Sequence, residues 1–268
     1  MLLTISHVTE YLYSNPVSYA LQQLRLTPKS RAGQTVKEWN TQISGGTVSL
    51  SYEDHNNNRV DLVEIEPDVS RVEIRSNGQV ETSDTSGIIG SHGGFAPLWM
   101  FERSTDLTAP GPHIRKLARD FKPDETVEGM HALSAVILGN VDYETATTHS
   151  ATTAEQALEL GTGVCQDHTH IFISVCRLAG IPARYVSGYL LMEGQTDQVA
   201  SHAWAEAHLP ALGWVGFDVS NGISPDERYV RVATGLDYRD VAPIRGVRFG
   251  SQGGTLDETL VVSIRVEQ

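Results

Sequence analysis

Hydrophobic and polar residues alternate with a period of two over the first 85 residues. Such alternation is typical of strands that bury one face and expose the other. The segment DHNNNR (54–59) is rich in turn residues and separates two of these runs. The pattern predicts an antiparallel β domain of the sandwich type over residues 1–85. The runs that carry it are LLTISHV, ALQQLRLTP, VKEWNTQIS, TVSLSYED, RVDLVEIE and SRVEIRSNG.

From Pro110 the hydrophobic period lengthens to that of a helix. Three helices are predicted from PHIRKLARDF, ETVEGMHALSAVILGNV and TTAEQALEL, the last with Thr152 or Thr153 as its N-cap. A fourth, amphipathic helix is expected to begin at Cys165 and to end at Gly180. Helices followed by antiparallel strands predict an α+β core. The strand-like runs are ARYVSGYLLM, ASHAWAEAHL, GWVGFDVS, RYVRVATG and TLVVSIRVE.

Changes in composition divide the chain into four parts. The segment TSDTSGIIGSHGG (82–94) is rich in Ser, Gly and Thr, which predicts a linker or long loop over residues 86–108. The α+β core is expected at residues 109–225 and a β-rich extension at residues 226–268.

The charge balance narrows the range of partners. The chain has 33 acidic and 20 basic residues, and its formal net charge is −13. Such a surface repels phosphate backbones and anionic lipids, so nucleic acid and membrane are not expected as partners. No run of about 18 apolar residues is present that would predict a membrane-spanning helix.

The two cysteines, Cys165 and Cys176, lie eleven residues apart on one predicted helix. That spacing is roughly 16 Å along a helix axis, so the two thiols cannot form a disulfide with each other. The start MLLTISHVTEYLYS also lacks the features of a secretory signal. Both observations predict a cytoplasmic protein.

Cys176 shares a helical face with Phe172 and Ile173, which predicts a core position.

Cys165 lies where the glycine-rich turn GTGV becomes a helix. The dipole and free N–H groups of a helix N-terminus favour the thiolate, and the same N–H groups can hold a developing oxyanion. Gly161 and Gly163 allow a sharp turn and keep bulk away from a substrate carbonyl. This placement indicates a nucleophile.

A cysteine nucleophile needs a base, and the base needs a group that orients it. If AWAEAHL and GWVGFDV pair across LPALG with the turn centred near Pro210, His202 lies directly opposite Asp218. A slip of one residue would place them on opposite faces of the sheet. The plainer alternatives are a structural thiol, a half-buried strand histidine and a turn-capping aspartate. The cysteine at a helix start, the histidine on one strand and the aspartate across the hairpin all fit one chemistry. Together they favour the triad of Cys165, His202 and Asp218 over these alternatives.

Four further residues are candidates for supporting roles. Asp167 lies in the first helical turn, where a carboxylate is favourable, and His170 is close enough along the helix to pair with it. Trp204 is expected either to form a wall of a substrate groove or to belong to the core, and Tyr143 to line the entrance.

A metal site is not expected among the histidines of the segment DHTH. His168 and His170 are two residues apart, so on a helix they point in different directions. A zinc site built from Cys, His and Asp would also use the residues of the triad.

Four blocks, GVCQD, GIPARYVSGY, SHAWAE and GWVGFD, occur in an order and spacing that resemble the bacterial transglutaminase-like proteins, whose core is related to papain-type cysteine proteases. The start LLTISHVTEYLYSNPVS resembles the β-rich domain that commonly precedes this core. The resemblance implies helices packed on an antiparallel sheet, with Cys165 as nucleophile, His202 as base and Asp218 as the orienting residue. Many relatives have an aromatic and a small residue where this chain has His168 and Thr169.

The residues and the resemblance together predict a thiol-dependent amide hydrolase, a cysteine peptidase or amidase that forms a thioester acyl-enzyme. The expected substrate is a peptide or protein amide, and no cofactor is expected. One alternative is a protein-glutamine transglutaminase or deamidase, because the same acyl-enzyme serves both and only the acceptor differs. The others are a binding module that keeps the fold without turnover and a metal hydrolase.

Overall fold

The computed structural model describes residues 1–17, 19–192, 194, 197–198, 200–249 and 258–268. The N-terminal part contains only strands. They are β1 (Leu2–Val17), β2 (Tyr19–Leu24), β3 (Gln34–Ser44), β4 (Gly46–Glu53), β5 (Arg59–Ile65) and β6 (Val69–Thr82).

The remaining chain mixes helices and strands. In order they are β7 (Ile88–Gly90), a short 3₁₀ helix (Leu98–Glu102), α1 (Pro112–Phe121), α2 (Val127–Leu138), β8 (Asp142–Tyr143), α3 (Ala154–Leu160), β9 (Thr162–Gly163), α4 (Cys165–Leu178), β10 (Ala183–Leu190), β11 (Asp197–Gln198), β12 (His202–Leu209), β13 (Gly213–Phe217), β14 (Tyr229–Gly235), α5 (Tyr238–Val241), β15 (Ile244–Phe249) and β16 (Glu258–Glu267). No helix in the described part of the chain is long and apolar enough to cross a membrane.

Two antiparallel sheets form the predicted sandwich. One has the order β11-β16-β1-β6-β3 and the other β15-β2-β5-β4. A hydrophobic cluster, which includes Tyr11, Leu24, Val63 and Ile74, fills the space between them. The last two strands, β15 and β16, pair with β2 and β1, so the end of the chain completes both sheets.

The α+β core has a third sheet, of order β14-β10-β12-β13-β7, in which all neighbouring strands are antiparallel. Helix α4 packs on this sheet against the small side chains of Ala203, Ala205 and Ala207. Helix α3 begins at the N-cap Thr153, whose side chain forms a reciprocal capping box with Gln156. The α+β fold predicted from the sequence is confirmed.

The segment expected to be a linker contributes to the core. Strand β7 pairs with β13 at the edge of the sheet, and Phe101 of the 3₁₀ helix packs edge-on against Trp214 at 5.1 Å. Strand β14, from the expected C-terminal extension, forms the opposite edge of the same sheet. The domain boundaries themselves stay a prediction.

The sequence predicts an amphipathic helix with one face in solvent, but the structure covers α4 with protein on both sides, which corrects that expectation. Every residue from 167 to 177 is buried, because β10 and β12 cover one side of the helix and α1, α2 and α3 cover the other. Its polar side chains bond to neighbouring elements instead of water. Ser174 donates to the Thr108 carbonyl at 2.9 Å, and Arg177 donates to the carbonyls of Phe101, Ala183 and Leu236.

The hairpin of β12 and β13 has a register that differs from the predicted one. Leu209 lies opposite Gly213, so Trp204, and not His202, is the residue that the register places opposite Asp218. The reason is the turn, which is closed by a bond from the Leu212 N–H to the Leu209 carbonyl and continues into Gly213 at φ +77°. The offset is two residues, and two is the side-chain period of a strand. The predicted pair therefore still shares one face.

Gly213 is expected to be essential to this hairpin. A Cβ atom at this position would lie 2.2 Å from the Gly90 carbonyl oxygen, in addition to the cost of a left-handed backbone. We expect Gly213→Ala to lower the free energy of unfolding by at least about 2 kcal/mol. Gly180→Ala is the matched control, because Gly180 has the same φ of +77° and open space around it. Its expected cost is about 1 kcal/mol. Equal losses for the two variants in urea unfolding would contradict this account of the hairpin.

Candidate active site

His202 and Asp218 meet at one end of the hairpin. His202 is the first residue of β12, and Asp218 directly follows β13, where it forms an isolated bridge with Ile223. The His202 Nε2–H donates to Asp218 Oδ2 at 2.6 Å, and both side chains are buried. The contact is diagonal across the two strands, as the offset register requires.

The Asp218 carboxylate is held by further donors. Asn221 Nδ2 and the Tyr229 hydroxyl each donate to Oδ2 at 2.7 Å. Burial alone would raise the pKa of Asp218, but the bonds and charge of His202, with Asn221 and Tyr229, hold it below its usual value. The carboxylate is therefore ionised and fixed in orientation.

Cys165 is the first residue of α4 and is partly exposed, as predicted. Its side chain lies close enough to the His202 imidazole to raise the pKa of that ring. Because Nε2 is occupied by Asp218, Nδ1 is the ring nitrogen left for the thiol. Burial alone would lower the pKa of His202, but the bonds and charges of Asp218 and Cys165 outweigh it and raise the pKa well above its usual range. The site thus stabilises a positively charged imidazolium between sulfur and carboxylate.

Asp167 supports the turn that carries Cys165. Its Oδ2 accepts from the Val164 N–H at 2.9 Å and from the Thr148 hydroxyl at 2.7 Å. A Cβ atom on Gly163 would lie 2.8 Å from the Cβ of Asp167, so only glycine allows the turn to fold this closely onto the helix. Burial raises the pKa of the Asp167 carboxyl, an effect that these two bonds partly offset. Asp167 thus closes the turn before the cysteine helix through these two bonds.

The expected pair between Asp167 and His170 does not form. His170 is fully buried, and its Nε2 accepts from the Tyr238 N–H at 3.2 Å. The two side chains leave the enclosed helix in different directions, because Asp167 turns back to its own N-terminus. His170 therefore contacts the segment that leads into α5, away from the thiol.

His168 has a positioning role that the sequence interpretation did not assign. Its Nε2–H donates to the Val141 carbonyl at 3.0 Å, and its Nδ1 accepts from the Ser220 hydroxyl at 2.9 Å. Burial lowers the pKa of His168, which favours the neutral ring that this pattern needs. The residue ties the cysteine helix to the turn after Asp218. Many relatives have another residue type where this chain has His168, and that departure was the sequence signal that could have identified its positioning role.

Two aromatic candidates have different surroundings. Trp204 is buried and stacks on His202, with ring centroids 6.2 Å apart, so it packs behind the imidazole and does not form a groove wall. Tyr143 is 55% exposed and lies edge-on to His168. Its pKa is raised by burial of the phenol and by the charges of Cys165 and Asp218. The role of Tyr143 at the site entrance stays a prediction.

Tyr229 and Asn221 hold Asp218 but were not predicted. Tyr229 is part of the strand-like run RYVRVATG, and nothing in that pattern distinguishes it from a core residue. Asn221 follows Asp218 by three residues in a turn, which is a weak signal by itself. Among the residues that the structure describes, no group of three His, Cys, Asp or Glu side chains is placed to hold a metal ion.

Comparisons with known families match both halves of the chain. Residues 115–219 match the model of the transglutaminase-like superfamily, and residues 3–81 match the model of the bacterial transglutaminase-like N-terminal region. Over 274 residues the chain is 31% identical to an uncharacterized protein of Mycobacterium leprae, in an alignment that covers 97% of each chain.

Two further comparisons concern the fold and the core. The fold is similar to the crystal structure of a candidate cysteine protease from Cytophaga hutchinsonii, with a TM-score of 0.78 and 20% identity over 100% of this chain and 91% of that one. Over 102 residues the chain is 31% identical to the protein-glutamine gamma-glutamyltransferase of Pseudomonas aeruginosa, an alignment that covers 32% of this chain and 15% of that protein.

The two cysteines are expected to differ strongly in reactivity. Cys176 is fully buried, its sulfur lies 3.7 Å from that of Met130, and burial raises the pKa of its thiol far above the usual value. Cys165 is partly exposed beside His202. We expect iodoacetamide at neutral pH to modify Cys165 at least about 100-fold faster than Cys176, as measured by peptide mass spectrometry. Comparable rates in the folded protein would be evidence against an activated thiol.

Proposed function

The chain belongs to the transglutaminase-like superfamily, and we propose that it is a thiol-dependent amide hydrolase, a cysteine peptidase or amidase. Cys165 is the nucleophile, His202 the acid and base, and Asp218 the residue that orients the imidazole. One observation carries the proposal, namely the buried hydrogen bond of 2.6 Å between His202 and Asp218, with the Cys165 side chain close to the same imidazole. The position of Cys165 at a helix N-terminus supports it.

The first step forms an acyl-enzyme. The sulfur of Cys165, as the thiolate, attacks the carbonyl carbon of the amide, and the carbonyl oxygen becomes an oxyanion. The His202 imidazolium then gives its Nδ1 proton to the amide nitrogen, so the C–N bond breaks and an amine leaves. Asp218 stays ionised throughout and keeps the ring aimed at the sulfur. The product of this step is a thioester on Cys165.

The second step releases the acyl group. Neutral His202 takes a proton from a water molecule as that water attacks the thioester carbonyl. The C–S bond breaks, and the sulfur leaves as the thiolate that pairs again with the imidazolium. The products are a carboxylic acid and the free enzyme, and neither step needs a metal or a cofactor.

Two groups are suitable donors to the oxyanion. The N–H of Cys165 belongs to the first turn of α4, where backbone N–H groups have no intrahelical acceptor. The second donor that we propose is the Tyr143 hydroxyl, because Tyr143 is partly exposed beside His168 on the cysteine helix and a phenol is protonated at neutral pH. Donors fixed in place before the reaction stabilise the transition state without reorganisation.

Transfer to an amine is the second candidate, with glutamine deamidation as the related outcome when water attacks a glutamine side-chain thioester. The observation that favours it is the partial similarity to a protein-glutamine gamma-glutamyltransferase. The acyl-enzyme is the same for both candidates, and the acceptor decides between them. Mass spectrometry of a peptide library incubated with and without a primary amine separates them. Hydrolysis adds the mass of water, deamidation about 1 Da, and transfer the mass of the amine less ammonia.

Substitutions in the triad test the proposed mechanism directly. We expect Cys165→Ala and His202→Ala to lower kcat/KM by about 10⁶-fold and Asp218→Asn by about 10⁴-fold, since the amide keeps a partner for the ring but loses the charge. The measurement is kcat/KM on an amide substrate identified in the library, with circular dichroism to confirm folding.

Cys176→Ala is the matched control, because it removes the other thiol from the same helix. It is expected to lower stability by about 2 kcal/mol and to leave kcat/KM within about threefold. A folded Cys165→Ala protein with wild-type turnover would refute the thiol mechanism. A wild-type protein that binds library peptides without converting any would favour the binding module.

The hydroxyl of Tyr143 has its own test. If it donates to the oxyanion, Tyr143→Phe lowers kcat by about 100-fold or more with little change in KM, because the aromatic ring remains in place. Tyr52→Phe, which removes a hydroxyl in the N-terminal sandwich, is the control and should leave kcat unchanged. An unchanged kcat for Tyr143→Phe would restrict the residue to lining the entrance.

A further inference from the structure

A second cluster of charged side chains lies on the face of the core sheet that points away from α4. Its centre is Glu206 of β12, which is 0% exposed. Arg184 Nε donates to Glu206 Oε2 at 2.6 Å, and Arg231 Nε donates to Oε1 at 2.6 Å. One carboxylate is thus already paired with two guanidinium groups.

A third arginine reaches this cluster from the N-terminal domain. Arg31 exchanges both backbone hydrogen bonds with Gln34. The buried side chain of Gln34 in turn donates to the Arg231 carbonyl at 2.9 Å and accepts from the Arg231 N–H at 2.8 Å. These bonds clamp the Arg31 segment to β14 and hold its guanidinium at the seam between the two domains.

The cluster has more positive charge than its partners balance. Arg31 is partly exposed, but its Nε is buried and has no hydrogen-bond partner among the described residues. Burial lowers the pKa of Arg31, the charge of Glu206 raises it, and the charge of Arg184 lowers it. Among the described residues, the ion pairs of Glu206 are with Arg184 and Arg231, and none joins it to Arg31. Three guanidinium groups and one carboxylate leave an excess of two positive charges, which is costly where these groups are only partly hydrated.

We propose that Arg31, Arg184 and Arg231 form a binding site for a small oxyanion, with the phosphate dianion as the best match. A dianion neutralises the two excess charges, and guanidinium forks fit the spacing of phosphate and carboxylate oxygens. Arg184 is fixed in orientation because it lies over the Trp214 ring at 3.9 Å. Arg31 and Arg184 are both partly exposed, so the anion enters from solvent at their side.

This site is separate from the triad. Glu206 lies four residues along β12 from His202, which corresponds to about 13 Å in a strand. The buried Trp204 lies between them on the same face. Oxyanion binding is therefore expected to be independent of the thiol, and it does not rest on the proposed hydrolase activity.

Thermal unfolding of the full chain tests the site. The protein is melted in chloride, acetate and phosphate at equal ionic strength and neutral pH. Phosphate at about ten times its Kd should raise Tm by roughly 3 °C over chloride. An equal rise in acetate would identify a carboxylate as a sufficient ligand, which also supports the site. A Tm that is the same in all three salts overturns the proposal.

Arg31→Gln is the decisive variant, because it removes the arginine that lacks a partner. It should abolish the rise in phosphate and leave Tm in chloride equal to or above that of the wild type. Arg115→Gln, which removes an exposed arginine on α1, is the control and should keep the rise. Cys165→Ala should keep it as well, so failure of this site and failure of the hydrolase proposal are distinguishable.

A second variant covers the case in which Arg31→Gln does not fold. Arg31→Lys keeps the charge but lacks the planar fork, so the rise in phosphate should fall by at least about half. Isothermal titration of phosphate into both folded proteins checks the same order of affinity. A full rise in either variant, or a lower Tm of Arg31→Gln in chloride, would assign Arg31 a purely structural role.

Discussion

The enclosure of helix α4 is the constraint on which the rest of the structure depends. A helix covered on both sides cannot expose polar side chains to water, so each of them needs a partner inside the protein. Here the partners lie on the elements that surround the helix. Arg177 alone joins the 3₁₀ helix, β10 and the start of α5 through backbone carbonyls. The helix therefore organises the core around itself instead of resting on it.

The same constraint aligns the chemistry at the helix N-terminus. Asp167 closes the turn before Cys165, and His168 joins the helix to the loop that holds Asp218. The aspartate in turn takes donors from Asn221 and Tyr229 on two further segments. The Asp218 carboxylate, which bonds to the imidazole, is thus held by Asn221 and Tyr229, and the turn that carries Cys165 is held by Asp167. Such support preserves the geometry that the proposed acyl transfer requires.

The N-terminal sandwich is tied to the core by the chain itself and by side chains. The strands β15 and β16 return from the core and close the two sheets of the sandwich. Across the seam, Gln34 satisfies both backbone groups of Arg231, and Asn58 does the same for Thr234. This docking brings Arg31 within electrostatic range of Arg184 and Glu206. Arg184 and Arg231 already exceed the charge of Glu206 by one, and Arg31 from the N-terminal sandwich raises the excess to two.

The sequence by itself determined the elements and the fold class and indicated Cys165, His202 and Asp218 as a candidate triad, since these follow from local periodicity, from the helix start at Cys165 and from strand alternation. It also placed His202 and Asp218 on one face, because an offset of two residues preserves the face. The tertiary structure decided what depends on contacts between distant segments. It set the hairpin register through the turn, gave Asp218 its bond from Tyr229, and buried the polar side of α4. No local pattern encodes these, because each depends on which segments pack together.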